Sequence, residues 1–335
     1  MEFSFTPEQE DLRTLVRGFL TKHPVRSRAP GCYDVGLWER LANELGLTGL
    51  SAGAEHGGAG ASMVEQAIVL EETGRALLAL PYLSTVVAAR FLAPEHMPGI
   101  ASGETVAALH LGAGLVARGR RIHGVADAVV DGDVATVAIV AARDEDGVSL
   151  YAAPVTDRTE VSTLDHSRPA ATLSLRGVPA TRLDASVDEA CDAMHLALAV
   201  ESLGVASRSL EMTTAHLRAR QQFGVPLASF QALRHRVADL AVALEAARST
   251  TWYAVRADPS EHAVLAPMAK LVAADAAYAL AAASIQLHGG IGFTWEHEAH
   301  RYFKRATVTR LTHGDPVTLR RTVAARVGLF EPNRA

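Results

Sequence analysis

The chain has 335 residues, 49% hydrophobic, 21% charged and only 5% aromatic, with a formal net charge of −5. Its length leads one to expect two domains with ample core, and its composition excludes a disordered chain. The mild acidity leaves no electrostatic footprint for nucleic acid or an anionic membrane. The two cysteines, Cys32 and Cys191, cannot build a disulfide framework and lack metal-ligand spacing, so a reducing, cytoplasmic setting is expected.

Met1-Glu2-Phe3-Ser4-Phe5 offers neither a basic n-region nor an apolar h-region, so no targeting segment is expected. Thr6-Pro7-Glu8-Gln9 is a helix start: a capping threonine, proline at the first helical position and glutamine where a capping box places it. Leu12, Leu15, Val16 and Phe19 then mark one face. A second helix is expected over Val35–Leu45, stopped by Gly46, and a loop over the glycine-rich 53–60. Further helices are expected from Ser62 to Gly74-Arg75, and after Pro81 through Val86, Val87, Phe91 and Leu92. From Thr105 to Leu183 the texture changes to short β-like runs, Val106–Leu111, Val134–Val140, Val148–Ala152 and Thr172–Leu175, separated by Asp- and Gly-bearing turns. Long helices return at Ala193–Phe223, Phe230–Ala257, Glu261–Leu287 and Trp295–Val327, the last broken near His313-Gly314-Asp315-Pro316. Packed antiparallel they make a four-helix bundle. Lys270 and Asp275 interrupt the apolar stretch from Ala263 to Leu287, which therefore reads as a core helix with both charges at its rim rather than as a membrane span. The expected domains are 1–103 (helical), 104–186 (β) and 187–335 (bundle).

Most catalytic templates are absent: there is no Gly-x-Gly-x-x-Gly after a strand, no Walker loop, no His-Glu-x-x-His and no Gly-x-Ser-x-Gly. Glu296-His297-Glu298 with His300 offers metal ligands only superficially, because on a helix only residues three or four apart converge; a solvated, salt-bridged surface and no metal site are expected. Two stretches stand out. Arg218-Ala219-Arg220-Gln221-Gln222-Phe223-Gly224-Val225-Pro226-Leu227, followed by Phe230-Gln231, ends a helix near Phe223-Gly224. Gln286-Leu287-His288-Gly289-Gly290-Ile291-Gly292-Phe293 carries glycines whose N–H groups are free to donate to a phosphate.

Taken together, Arg-x-x-Phe-Gly-x-x-Leu-x-x-x-Gln and Gln-x-x-Gly-Gly-x-Gly-Phe resemble the C-terminal bundle of the acyl-CoA dehydrogenase family. The opening Phe5-Thr6-Pro7-Glu8-Gln9 helix, the Glu55-His56-Gly57-Gly58-Ala59-Gly60 loop, Glu71-Glu72-Thr73-Gly74-Arg75 and the order helical, β, helical agree over nearly the whole chain. The resemblance implies an α+β fold with an N-terminal helical domain, an abbreviated middle β domain and a C-terminal four-helix bundle. It implies FAD, an acyl-CoA thioester substrate, and a glutamate base that takes the α-proton while hydride leaves the β-carbon for the flavin. Arg220, Gln222 and Phe223 are then expected to touch the FAD of a neighbouring subunit, with Gln286, Gly289 and Gly290 completing that wall and Gln231 and His288 added to it.

The departures from the family pattern matter equally. The family's usual glutamate position falls on His313, with Asp315 two residues on; the alternative position on the earlier bundle helix falls on Met194, beside His195, with Glu201 about two turns farther. The Thr-Glu-Pro-x-x-Gly-Ser-Asp-like loop and the Gly-x-Lys-x-x-Ile-x-Asn segment of members with a working flavin pocket are reduced here to 108–114 and 122–126. The motifs kept are those that reach into a neighbour; those lost serve the chain's own flavin. The expectation is a short subunit acting beside a second, catalytic acyl-CoA dehydrogenase chain, as in the hetero-oligomeric members that act on steroid CoA thioesters. The alternatives are a self-sufficient homo-oligomer with His313 or Asp315 as base, a scaffold without FAD, and other flavin chemistry on the same fold.

Overall fold

The computed structural model describes residues 4–329, so Met1–Phe3, read above for a targeting signal, and the last six residues lie outside the description. Two compact units are present: one gathers the described residues up to Thr21, Leu70–Leu77 and His195 onward, the other Lys22–Val69 and Leu78–Met194.

α1 (Pro7–Lys22) opens on the expected capping box, with Thr6 N–H donating to Gln9 Oε1 at 3.1 Å and Gln9 N–H to Thr6 Oγ1 at 3.3 Å. α2 (Val35–Glu39) is capped by Asp34, which accepts from Leu37 N–H at 2.9 Å. The helix does not continue as a regular α-helix to Leu45: over Arg40–Glu44 it widens to i→i+5 bonding, with Leu45 N–H donating to Arg40 O at 3.2 Å. The wider turn buries Leu37, Trp38, Leu41 and Ala42, and Trp38 Nε1–H donates to Gly103 O at 2.8 Å. The glycine loop at 53–60 folds as expected; a Cβ on Gly58 would lie 2.2 Å from Ala52 O. α3 (Met63–Ala76) and α4 (Tyr82–Ala89) follow, α4 stopping before Phe91 and Leu92, and then α5 (Met97–Ser102).

The middle of the chain is an eight-stranded sheet: β1 (Ala107–His110), β2 (Val116–Arg118), β3 (Arg121–Val130), β4 (Val137–Asp144), β5 (Gly147–Pro154), β6 (Arg158–Val161), β7 (Ala170–Pro179) and β8 (Thr181–Arg182). The order is β6-β7-β3-β2-β4-β5-β8, with β1 and β2 both parallel to β4 along one of its edges. β4 is buried from Val137 to Ala142 and reads as a continuous apolar run, which is the pattern of a strand covered on both faces. Its four core strands match the expected runs; β3 does not come from a visible pattern, since Ile122, Ala126 and Val129 face inward across two register shifts. At the β3–β4 turn, Arg28 is clamped by Asp133 (2.6 Å) and Asp131 (2.8 Å), both buried.

The other unit is helical: besides nearly all of α1 and the second half of α3 it holds α6 (Val187–Ala219) from His195 onward, α7 (Gln231–Arg256), α8 (His262–His288), α9 (Ala299–Leu311) and α10 (Pro316–Arg326). The second half of α3 crosses α6 at two glycines. A Cβ on Gly204 would stand 1.9 Å from Glu71 O, and one on Gly74 would stand 2.1 Å from Glu201 O, so the backbones touch. Across that crossing Arg305 donates to Glu201 at 2.8 Å with both side chains buried, and Tyr302 O–H donates to Arg75 O at 2.7 Å. α8 is long and apolar enough to span a membrane by length and composition. Lys270, expected at its rim, is instead fully buried and donates to Gly314 O at 2.5 Å; Asp275 does lie at the rim, paired with Arg310 at 2.6 Å and Arg320 at 3.0 Å. A backbone carbonyl turned inward from the α9–α10 turn is what lets the ammonium be buried.

Candidate functional site

The arginine-bearing segment differs locally from the expected helix end. α6 stops at Ala219, and Gln221–Gln222 (β9) pairs with Val225–Pro226 (β10) around Phe223 (φ +54°) and Gly224 (φ +79°). Two consecutive positive φ values in a two-residue loop suit the twist of a tight hairpin, and Leu227 N–H closes it onto Arg220 O at 2.8 Å. The hairpin turns Phe223 outward, 89% exposed and edge-on to Phe230 at 6.0 Å. Arg220, Gln222 and Gln231 are exposed as well, Gln231 as the first residue of α7.

The glycine segment begins where α8 ends. His288 is buried and donates from Nδ1 to Ser284 O at 2.6 Å. Gly289 then takes φ +65° and ψ −144°, a region open only to glycine. A Cβ on Gly289 or Gly290 would meet nothing within 4 Å, and Gln286 is exposed beside them. Beyond the turn Phe293 and Trp295 are 77% and 66% exposed.

One contact joins the two segments. The His216 ring, in the last turn of α6, lies 4.4 Å from the His288 ring, which lies 4.2 Å from that of His297. Burial foremost, and the neighbouring charges after it, hold His216 and His288 below the ordinary imidazole value. The Glu296–His300 stretch is therefore no solvated salt-bridged face: His300 is buried against Trp295 at 4.6 Å and His297 belongs to the stack. The glycine N–H groups are not all free, as the sequence had led one to expect: Gly289 N–H turns back to Gln286 O and closes the helix end. The Arg220 guanidinium and the exposed side-chain amides of Gln222 and Gln286 remain as donors with the chemistry of a diphosphate site, and Phe223 presents a bare aromatic face on the same hairpin. The sequence reading passed over His216 and set His297 aside as part of a solvated surface; that both histidines stand about one turn from the motifs was the available hint.

The third region is the α9–α10 turn. His313 (φ +53°) and Gly314 (φ +106°) reverse the chain there. Asp315 caps α10, accepting from Val317 N–H at 2.7 Å, Thr318 N–H at 3.0 Å and Thr318 Oγ1–H at 3.0 Å; those bonds, the Thr318 amide first, hold its carboxyl below the usual range. The turn is pinned from inside: His195 Nε2–H donates to His313 O at 2.8 Å, beside the Lys270 bond to Gly314 O. Burial pushes His195 down to about 4, so it is a neutral donor. The remaining acid of the expected set, Glu201, is bound to Arg305, and Met194 is buried. The carboxylates near the expected base positions are thus occupied in capping or in an ion pair.

Residues 6–94 match the acyl-CoA dehydrogenase N-terminal domain and residues 185–328 the acyl-CoA dehydrogenase C-terminal domain. Acyl-CoA dehydrogenase IpdE2 of Mycobacterium tuberculosis is 35% identical over 311 residues, covering 89% of this chain and 91% of the relative. IpdE2 of Mycolicibacterium smegmatis is 34% identical over 330 residues, covering 96% and 99%. Among solved structures, a Tcur3481–Tcur3483 steroid ACAD G363A variant superposes with a TM-score of 0.89 at 27% identity, over 96% of this chain and 98% of the other. The ChsE4–ChsE5 complex of M. tuberculosis gives 0.89 at 26%, over 99% and 100%. With the fold, the motif-bearing helix ends and full-length relatives in agreement, this chain belongs to the acyl-CoA dehydrogenase family.

Proposed function

We propose that the chain is the base-lacking subunit of a hetero-oligomeric acyl-CoA dehydrogenase that oxidises the CoA thioester of a bulky, steroid-like acyl group. The family is FAD-dependent, and FAD when bound supplies the hydride acceptor. In this reading Arg220, Gln222, Phe223, Gln231, Gln286, His288, Gly289 and Gly290 hold the diphosphate and adenosine of FAD seated in the partner, and a glutamate of the partner removes the α-proton. The observation that carries it is an asymmetry. The exposed donors Arg220, Gln222, Gln231 and Gln286 are kept, whereas the expected base positions hold His313 and Met194 and the nearby acids Asp315 and Glu201 are engaged elsewhere. In the sheet, from Leu111 to Ala135 there is no serine, threonine, asparagine, glutamine, tyrosine or tryptophan to line a flavin ring. The names of the similar structures, a Tcur3481–Tcur3483 steroid ACAD and a ChsE4–ChsE5 complex, support the same direction for partner and substrate.

Co-expression with a glutamate-bearing acyl-CoA dehydrogenase chain of the same organism is the test. A complex that carries flavin absorbance and dehydrogenates a steroid-CoA, beside a colourless isolated chain, is expected. An isolated chain that is yellow and bleaches with an acyl-CoA overturns the reading. That outcome belongs to the homo-oligomeric alternative, which the pinned His313 turn alone favours; there His313→Ala abolishes bleaching while flavin stays bound.

A further inference from the structure

The histidine stack lies outside the two motifs that carry the family resemblance, save for His288. Three imidazoles from α6, from α8 and from the turn before α9 sit ring to ring at 4.4 and 4.2 Å, beside the Gly289–Gly290 turn. His297 Nδ1 accepts from Ala299 N–H at 3.1 Å and so stays unprotonated at that atom, while His288 Nδ1 is committed to Ser284 O. The atoms left to take a proton are the Nε2 of His288 and the open nitrogen of His216. The charged groups facing the stack are Arg220 on α6, which acts on His216, and His297, which acts on both other rings; around the adjoining His300 they are Arg301 and Lys304 of α9. Each of these disfavours a further positive charge, and among the described residues no carboxylate counts among the causes acting on His216 or His288. Burial and like charge therefore both disfavour the charged forms of His216 and His288, and an anion placed beside them reverses the second effect.

We propose that anion binding at this end of the bundle is proton-linked: a diphosphate seated on Arg220 and the Gly289–Gly290 turn draws a proton into the His216–His288–His297 stack. The inference rests on the reading of this end as half of a dinucleotide site and adds its regulation. By linkage, a group that binds its proton more tightly in the complex than in the free protein makes binding tighter as pH falls. Well above the ordinary histidine range no proton is taken up with the anion and the effect vanishes. Below the ordinary histidine range it grows to at most tenfold per pH unit for each proton taken up.

The probe is ADP-ribose, whose diphosphate is a diester and keeps the same charge across this range. Calorimetric titration of the complex with the partner chain, stripped of its flavin, at pH 7.5 and pH 6.0, repeated in buffers of different ionisation enthalpy, gives both affinity and protons taken up. The expected result is an affinity roughly threefold to tenfold higher at pH 6.0, with uptake of about half to one proton. His216→Phe, which keeps a ring in the stack, is expected to flatten the pH dependence. Binding of equal strength at both pH values with no proton uptake overturns the proton linkage and leaves the half-site reading standing. Absence of binding at both overturns the two together. Should the variant fail to fold, the proton count of the complex with the unaltered chain decides alone.

Discussion

His195 couples stability to pH in a calculable way. Its folded value is about 4, against roughly 6.5 for a free imidazole, because burial disfavours the charged ring. Above the unfolded value both states are neutral. Between pH 6.5 and 4 the unfolded chain binds a proton that the folded chain refuses, so stability falls as pH falls, by up to about 3 kcal/mol. Urea unfolding across that range should show the loss, and His195→Gln, which can still donate to His313 O, should show less of it. An equal loss in the variant would assign the acid sensitivity elsewhere. The Glu201–Arg305 pair makes a second test: Glu201→Gln leaves a buried guanidinium without its counter-charge and should cost about 3 kcal/mol, whereas Glu201→Met with Arg305→Met should cost much less. At this scale the sequence told residue types but not burial. Lys270 looked like a rim charge because nothing in its apolar surroundings announces the carbonyl of Gly314 that receives it.

Between residues and the whole, the helix–helix crossing of α3 and α6 explains why Gly74 and Gly204 stand in otherwise good helical sequence. Alanine at Gly204 would force its Cβ to within 1.9 Å of a backbone oxygen that cannot rotate away. Gly204→Ala should therefore lower stability by about 2–3 kcal/mol, despite alanine's better helix propensity, read as a shift in denaturant midpoint. No change would mean the helices separate cheaply. Legibility varied by element for physical reasons. α1 and α3 carry capping residues, α7 and α8 are long stretches free of glycine turn signals, and β1, β4, β5 and β7 carry compact apolar runs, so they are visible. β3 is hidden because alanine, glycine and histidine occupy a strand whose inward residues shift register twice. The β9–β10 hairpin is hidden because Phe223 takes a left-handed conformation usually left to glycine or asparagine, and the motif looked like one helix end. The family motifs named the candidate site residues without the contact between His216 and His288 that joins the two segments.

For the molecule as a whole, the proposal separates two properties that usually travel together, holding a flavin and folding around one. Arg220 is exposed and outside every buried network described above, so Arg220→Ala should leave the melting temperature of the isolated chain within about a degree, as surface substitutions do. In the complex the same change removes a charge-assisted donor to a diphosphate, a loss of about 1.5–3 kcal/mol, or roughly tenfold to a hundredfold in flavin retention. Arg220→Lys keeps the charge but not the planar fork and should fall between. The measurement is flavin-to-protein absorbance of the purified complex after dialysis, beside thermal melts of the isolated subunit. A complex that keeps its full flavin in Arg220→Ala places the dinucleotide elsewhere, whereas a subunit that melts much earlier makes Arg220 a structural residue; only unchanged melting with lost flavin fits a side chain whose work lies in the neighbouring chain.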